Sequence, residues 1–393
     1  MTSQPPRWTD AAPEVVVIGG GIVGVSCAAQ LAEAGRRVVL FERTEIAAAA
    51  SGRNSGVVQH PFDPVLIDLH LETLDLYRQL SATDGAGEGF ELSAEPAGLL
   101  MVTHDADAAR RLAHDLASSH PRLSPVFLAP DAARRLEPAL APGVAACRVA
   151  IGYPVAPAAA TRAWAARATR LGVDIRVGAG ARPWIDAGRA AGVELASGER
   201  VPAGDVVVAA GPWTPEVVDP SGRWRPIAPS WGVVVSMTLT QPPRHVLEEA
   251  EIDIEPAGEA VEALDRGHAD DVAFSLVTAA GSSSLGSTFL DAEPDARSLI
   301  PGIVARGVSF VPAIAAAAVG AHRVCARPQS LDGRPLVGRV PGVEGLWVAA
   351  GHGPWGISTG PASGRLLADL VDGRLGSPPA ALDPARFQAP RFG

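Results

Sequence analysis

The sequence predicts an α/β chain: a parallel nucleotide-binding sheet gathered from separated segments, joined to a second, largely antiparallel sheet. Three observations carry that prediction. "VVVIGGGIVG" at residues 15–24 runs from an apolar strand through a glycine turn into a helix. Strand-then-glycine grammar returns at "VVVAAGPWT" (206–214) and "GLWVAAGHGPWGISTG" (345–360). Between them, residues 217–326 break into short strand-like pieces such as "WGVVVSMTL", "DVAFSLV", "LGSTFL" and "GAHRVCA", the pattern of an antiparallel sheet.

The first unit is the most specific. Val15 to Ile18 is apolar and β-branched, as expected of a parallel strand covered on both faces. Gly19, Gly21 and Gly24 follow in G-x-G-x-x-G spacing. The first permits the turn, the second lets a diphosphate approach the backbone, and the third lets helix pack on strand, with free N–H groups aimed at the anion. Ala28, Leu31 and Ala32 supply a helical apolar face, Gly35 suits the C-terminal cap, and a second strand, Val38 to Phe41, delivers Glu42. A carboxylate there accepts the hydroxyls of an adenosine ribose. The ligand is an adenine dinucleotide, NAD or FAD, and Glu42 argues against a 2′-phosphate despite the adjoining Arg43.

Farther along, "AAAASGRNSG" (47–56) is a small polar loop able to lie against a ring system. Helices are expected over Ile67–Leu80, Ala106–Ser118, Asp131–Leu136 and Pro157–Leu171, with strands in "GFELSAEPAGLLMVTH", near Val149 and over Val173–Val177. A hairpin then leads to the strand Val206–Ala210, ending at Gly211. The last segment is a strand to Ala350, a glycine-rich loop, and a helix with Pro361 near its first turn. A nicotinamide enzyme completes its dinucleotide fold in one block, so this interleaving favours FAD. The expected division is a discontinuous Rossmann-like FAD-binding domain (1–85, 152–216, 327–393) and a substrate domain (86–151, 217–326).

Composition narrows the setting. A chain of 393 residues, 47% hydrophobic, has the size of a two-domain globular protein. Its net charge of −10, without a basic stripe, disfavours nucleic acid and anionic lipid. Partners are a small-molecule substrate and either a second subunit or further copies of the chain. The polar start "MTSQPPRWTD" and the lack of a spanning apolar segment set a cytoplasmic expectation. Cys27, Cys147 and Cys325 are well separated, and the nine histidines show no metal-ligand spacing, so no metal is expected. All 33 basic side chains other than histidine are arginine. That excludes Schiff-base chemistry and any activation of oxygen by a lysine ammonium.

The glycine turn with Glu42, the SGRNSG loop, "RPQSLDGRPLVG" and the segment from Gly345 to Leu370 resemble the D-amino acid oxidase, glycine oxidase and sarcosine oxidase superfamily of flavoproteins. The resemblance is strong at the two ends and weak over 217–326. It implies FAD and oxidation of the C–N bond of a small amino acid or secondary amine by hydride transfer to flavin N5, giving an imine that hydrolyses. It also implies roles. Gly19, Gly21, Ile22, Val23 and Gly24 hold the diphosphate, and Glu42 with Arg43 takes the adenosine. Ser51, Arg53, Asn54, Ser55, Gly56, Val177, Ala210 and Gly211 line the cofactor's course. Gly351, His352 and Gly353, with Gly356, Ile357, Ser358 and Thr359, surround the flavin pyrimidine, a helix starting near Pro361 aiming its positive end there.

Arg327, which opens the R-P-x-x-x-D-G-x-P motif, is the substrate carboxylate's partner, suited by its two-pronged geometry. His352 and Trp355 complete the catalytic candidates. Pro354 and Trp355 stand where glycine oxidase-like members offer a second cation, and Trp231 is a second candidate wall of an apolar pocket. Cys325 lies seven positions before Asp332, the spacing at which sarcosine oxidase-like members form a thioether to the flavin. Most relatives carry a small residue there, so a covalent and a dissociable FAD both stand open. Strand period places Arg323, Cys325 and Arg327 on one face.

Two other activities stay open. "RNSGVV" (53–58) resembles a stretch of L-2-hydroxyglutarate dehydrogenase, which keeps 2-hydroxy acids as substrates, and a flavin-bearing subunit of a dehydrogenase complex shares the layout. Gly356, Ser358 and Gly360 also fit G-x-S-x-G, the serine hydrolase elbow, but "GHGPW" separates the serine from its strand, which makes a hydrolase a remote alternative.

Overall fold

In the computed structural model, residues 12–250 and 272–390 are described. The polar start 1–10, Asp271 and the part of the expected substrate domain at 251–271 lie outside them.

A six-stranded sheet runs in the order Leu336–Arg339, Leu346–Ala350, Asp205–Val208, Val15–Ile18, Val38–Phe41, Asp174–Arg176. Its strands pair in parallel except Leu336–Arg339, which turns back on Leu346–Ala350. The sheet thus draws on the start, middle and end of the chain, as the interleaved strand grammar predicts. Because successive side chains point to opposite faces, Val15 and Val17 join one core and Val16 and Ile18 another. The first core holds the helices Ile22–Glu33, Ala159–Arg170 and Gly356–Val371. The second packs against a three-stranded sheet, Ala181–Asp186, Arg189–Leu195 and Arg200–Pro202, through Ala190, Val193 and Val201.

The other sheet has eight strands: Ala318–Ser330, Ile227–Thr238, Ser282–Thr288, Val272–Ala279, Val246–Glu249, Leu99–Thr103, Ala145–Val149, Val126–Leu128. Its pairings are antiparallel apart from Val246–Glu249 with Leu99–Thr103. Val233, Val235, Leu247, Leu276 and Leu285 form a core with Ile303 and Phe310 of the helix Ala296–Phe310. The intervening Val234, Glu248 and Ser275 face a cavity on the opposite side. The expected boundary at residue 327 falls inside Ala318–Ser330, so Arg327 belongs to this sheet.

Two helices differ from expectation: Ala296–Phe310 arises inside the stretch read as short strands, and the C-terminal one starts earlier. The C-terminal helix begins at Gly356, which makes Pro361 its sixth residue. Proline lacks the N–H that the carbonyl of Ile357 would receive four residues earlier. Tyr77, fully buried on the helix Pro64–Leu80, donates its hydroxyl to that carbonyl at 2.8 Å. Gly364 lets the same helix lie against Ile22–Glu33: a Cβ there would stand 2.9 Å from the backbone nitrogen of Cys27.

Candidate functional site

A cavity of about 630 Å³ runs between the parallel sheet and the eight-stranded sheet. At one end it is bounded by Gly19, Gly21, Ile22 and Val23, with Glu42 and Arg43. Gly24 stands behind the turn: a Cβ there would sit 2.0 Å from the carbonyl oxygen of Gly19, so only glycine lets strand and helix meet so closely. Glu42 Oε2 accepts from the Gly20 N–H at 2.7 Å, and Oε1 accepts from the Thr44 N–H at 2.7 Å and its hydroxyl at 3.0 Å. A carboxylate offers about four lone-pair sites. One more donor is accommodated directly, and a second would displace the Thr44 hydroxyl. Arg43 stacks over Trp213, its guanidinium carbon 4.9 Å from the ring centre, and both line this end.

The loop after Glu42 contains a single helical turn, Ala50–Arg53. Ser51 Oγ accepts the Ile22 N–H at 2.9 Å, taking one of the donors that the first turn of a helix leaves open. Asn54 is a staple within the loop: its amide donates to the carbonyls of Ala50 and Ser51, and its oxygen accepts the Gly56 N–H. Arg53 donates to the carbonyl of Val324, and Arg323 to that of Asn54, which ties the loop to the strand Ala318–Ser330. Ser51, Arg53, Asn54, Ser55 and Gly56 all line the cavity, as do Ala210 and Gly211. Val177 does not. The residue is 54% exposed, and Gly180 and Ala181 line the cavity instead.

At the other end stand His352, Gly353, Trp355, Gly356, Ile357 and Ser358. Gly351 lies behind them in a turn at φ +82°, and Thr359 turns its hydroxyl back to the carbonyl of Trp355 at 2.9 Å. Neither lines the cavity. His352 is buried, and its Nε2 lies 3.0 Å from Ser363 Oγ, whose own hydrogen goes to the Thr359 carbonyl at 3.0 Å. The ring therefore donates from Nε2 and presents Nδ1 as a buried acceptor without a partner among the described residues. Burial holds its pKa down at about 3, so the imidazole is neutral. Trp355 is shared between the cavity and a small apolar cluster with Leu66, Leu69 and Leu382.

Ser358 is third in its helix and 1% exposed, and its hydroxyl accepts the Gln59 N–H at 2.9 Å. A nucleophile elbow requires the strand to run into the serine; here the strand ends at Ala350 and a short turn intervenes. This sets the hydrolase alternative aside.

Arg327 lies across Gly232, where a Cβ would come within 2.7 Å of the guanidinium. It donates to the Thr288 carbonyl at 2.8 Å and to Ser287 Oγ at 2.6 Å, and stacks 4.3 Å over Phe289. Cys325, two residues before it, is buried on the same wall, as strand period predicts, and so is Trp231. Arg323 turns aside to Ser236, Ser284 and Asn54. Burial raises the Cys325 thiol pKa, outweighing the guanidiniums of Arg327, Arg53 and Arg323, which act to lower it. Gln59, Glu248, Ser275, Ser287, Phe289 and Glu293 also line the cavity, and no sequence motif singles them out.

These features define a dinucleotide-dependent protein with a second sheet closing its cofactor cleft. The glycine cradle at Gly19 and Gly24, the acidic strand end at Glu42 and the buried His352 Nδ1, unpartnered among the described residues, fit FAD. The chain belongs to the FAD-dependent oxidoreductase family, whose model matches residues 14–370. It is 30% identical over 388 residues to glycine oxidase of Pseudomonas aeruginosa, covering 95% of this chain and 97% of the relative. Its fold matches glycine oxidase from Geobacillus kaustophilus with a TM-score of 0.80 at 23% identity, covering 97% of this chain and 99% of the other. It also matches iminodiacetate oxidase from Chelativorans sp. BNC1, TM-score 0.78 at 24% identity, covering 94% and 98%.

Proposed function

We propose that the chain oxidises the C–N bond of a small amino acid or secondary amine that carries a carboxylate, in the manner of the glycine oxidases it resembles. The observation that carries this reading is Arg327 on the cavity wall, fixed by Thr288 and Ser287 beneath the family's motif position. A guanidinium so held offers a carboxylate paired hydrogen bonds in a fixed plane. FAD supplies a two-electron acceptor when bound, and the amine becomes an imine that water hydrolyses to a carbonyl compound and a free amine.

The chain's own residues bind and orient. Gly19, Gly21, Gly24, Ile22 and Val23 take the diphosphate, and Glu42, Arg43 and Trp213 the adenosine. The start of the helix Gly356–Val371, with Gly353 and His352, takes the flavin ring system, where a helix N-terminus stabilises negative charge. Trp231, Phe289 and Trp355 keep the substrate end apolar around Arg327. Segments 1–85, 152–216 and 327–393 serve the cofactor, and 86–151 with 217–326 the substrate, sharing the strand that bears Arg327.

A thioether at Cys325 begins from a thiolate, which burial disfavours. FAD is accordingly read as tight and dissociable. Acid precipitation tests this: a colourless pellet is expected, and a yellow one carrying flavin on Cys325 overturns it. The substrate class is tested on the FAD-loaded protein without oxygen, against amino acids, N-methyl amino acids, opines and 2-hydroxy acids. Flavin bleaching by members of the first three groups is expected. Bleaching by 2-hydroxy acids alone would replace C–N with C–O oxidation.

A further inference from the structure

The last described stretch of the chain crosses behind the flavin end of the cavity. After the helix Gly356–Val371 it runs beside the strand Leu336–Arg339, where the Val337 N–H donates to the Leu382 carbonyl at 2.9 Å. Gly338 permits that approach: a Cβ there would lie 2.9 Å from Pro384 Cδ and 3.2 Å from Pro378 Cγ. Leu382 is 2% exposed, in the apolar cluster that packs against Trp355. Farther on, Arg386 grips the motif turn. Its Nε and Nη2 donate to Asp332 Oδ2 and Oδ1 at 2.6 and 3.0 Å, and Nη2 also donates to the Arg334 carbonyl at 2.7 Å. Arg334 in turn donates to Asp63 Oδ2 at 3.0 Å, while Asp63 Oδ1 accepts the Val65 N–H at 2.7 Å at the start of the helix Pro64–Leu80.

The motif turn supports the turn that flanks the cavity. Gln329, three residues before Asp332, forms an antiparallel bridge with His352. Its side chain lies on Gly353, where a Cβ would stand 2.6 Å from Gln329 Oε1. His352, Gly353 and Trp355 line the cavity, whereas Asp332, Arg334 and Arg386 do not. Two routes thus join the C-terminal stretch to that turn, one from Leu382 to Trp355 and one from Arg386 through Asp332 and Gln329. An isolated surface ion pair contributes little. This one is two-pronged, is anchored to a carbonyl as well, and has an arginine side chain only 16% exposed, so it holds the turn in a fixed plane.

We propose that residues 378–387 form a strap that retains FAD, and that Arg386 is the positioning residue that closes it. The proposal rests on the reading of the His352–Trp355 turn as part of the flavin's seat. A ligand held between two sheets leaves only when part of its wall opens. With Arg386 in place, the seat is backed from outside by the motif turn and by Leu382. Without it, Asp332 keeps, among the described residues, only the Arg334 N–H, and the wall opens more often.

The test follows FAD leaving the diluted holoprotein by the rise in flavin fluorescence, and compares melting temperatures with and without FAD. Arg386→Ala should speed release at least roughly tenfold and narrow the gap between the two melting temperatures, because stabilisation by a ligand follows its affinity. Arg386→Lys should fall between, since an ammonium lacks the fork that spans both Asp332 oxygens. Arg374→Ala is the control: Arg374 pairs with Asp369 and Asp372 at 2.7 and 2.8 Å just before the strap, and its loss should leave release unchanged. A contact that only holds the fold would lower both melting temperatures alike and keep the gap. Wild-type release in Arg386→Ala, an unchanged gap, or an equal effect of Arg374→Ala overturns the strap. If Arg386→Ala does not accumulate as folded protein, Arg386→Lys decides alone, and wild-type release in it overturns the proposal. Gly353→Ala, which drives a methyl against Gln329 at the seat itself, separates the two readings. Faster release there with wild-type release in Arg386→Ala removes the strap and leaves the seat; wild-type release in Gly353→Ala removes the seat and the strap with it.

Discussion

The Tyr77 hydroxyl donates to the carbonyl of Ile357 at 2.8 Å and so replaces the helical hydrogen bond that Pro361 cannot make. The C-terminal helix thereby starts five residues before its proline and presents its first turn, Gly356 to Ser358, to the cofactor cavity.

Tyr77→Phe leaves that buried carbonyl without a donor. Loss of a buried partner costs about 1–3 kcal/mol, so denaturant unfolding should show a loss in that range, with weaker retention of FAD. Stability and FAD affinity equal to wild type would show that the helix does not need the tyrosine.

Gly24→Ala drives a methyl into the Gly19 carbonyl, which belongs to backbone and cannot swing away. Overpacking of this kind costs about 1–3 kcal/mol, occasionally more. The variant should lose FAD affinity by over an order of magnitude, measured by calorimetric titration of the apoprotein. Wild-type affinity would mean that strand and helix part easily.

Arg327→Ala should lower kcat/KM for carboxylate-bearing amines by roughly 2–5 kcal/mol, the range for truncating one partner of a buried charge pair. Amines without a carboxylate should lose much less. Arg327→Lys should recover little, because an ammonium lacks the planar fork that Thr288 and Ser287 orient. Equal losses for both substrate classes would indicate a role in holding the sheet.

Stability should fall in mild acid. His60 and His70 are buried edge to face, ring centres 5.2 Å apart. Burial first, then a neighbouring histidine, lowers their pKa values from 6.5 to about 4 and about 3. Below pH 6.5 the unfolded chain therefore takes up protons that the folded one refuses, and stability drops as pH falls toward 4. Above 6.5 both states are neutral and the effect vanishes. Melting temperature against pH should slope less in His60→Gln and His70→Gln than in wild type. Identical slopes would place the acid sensitivity elsewhere.

The first strand, glycine turn, helix and acidic strand end were legible because each is a local pattern with a local cause. So was the shared wall of Cys325 and Arg327, which needs only the period of a strand. The C-terminal helix start was misplaced because a proline reads as a first-turn residue, and the tyrosine that lets it sit deeper lies 280 positions away. Ser51, expected against a ring, also holds the Ile22 N–H, a partner 29 residues back in the chain. Glu248 sits in "VLEEA", where nothing marks one acidic residue from the next. Its place on the wall that also bears Arg327 arises from the order of strands in the eight-stranded sheet. That order is set by packing between distant segments, and single-sequence periodicity carries no trace of it.

The central claim is C–N oxidation, and its most direct measurement is stoichiometry. The FAD-loaded protein is reduced without oxygen by the best amine substrate found, and the ammonia or primary amine and the carbonyl product are counted against flavin reduced. One amine and one carbonyl compound per flavin is the predicted result; flavin reduction with no amine released would contradict it.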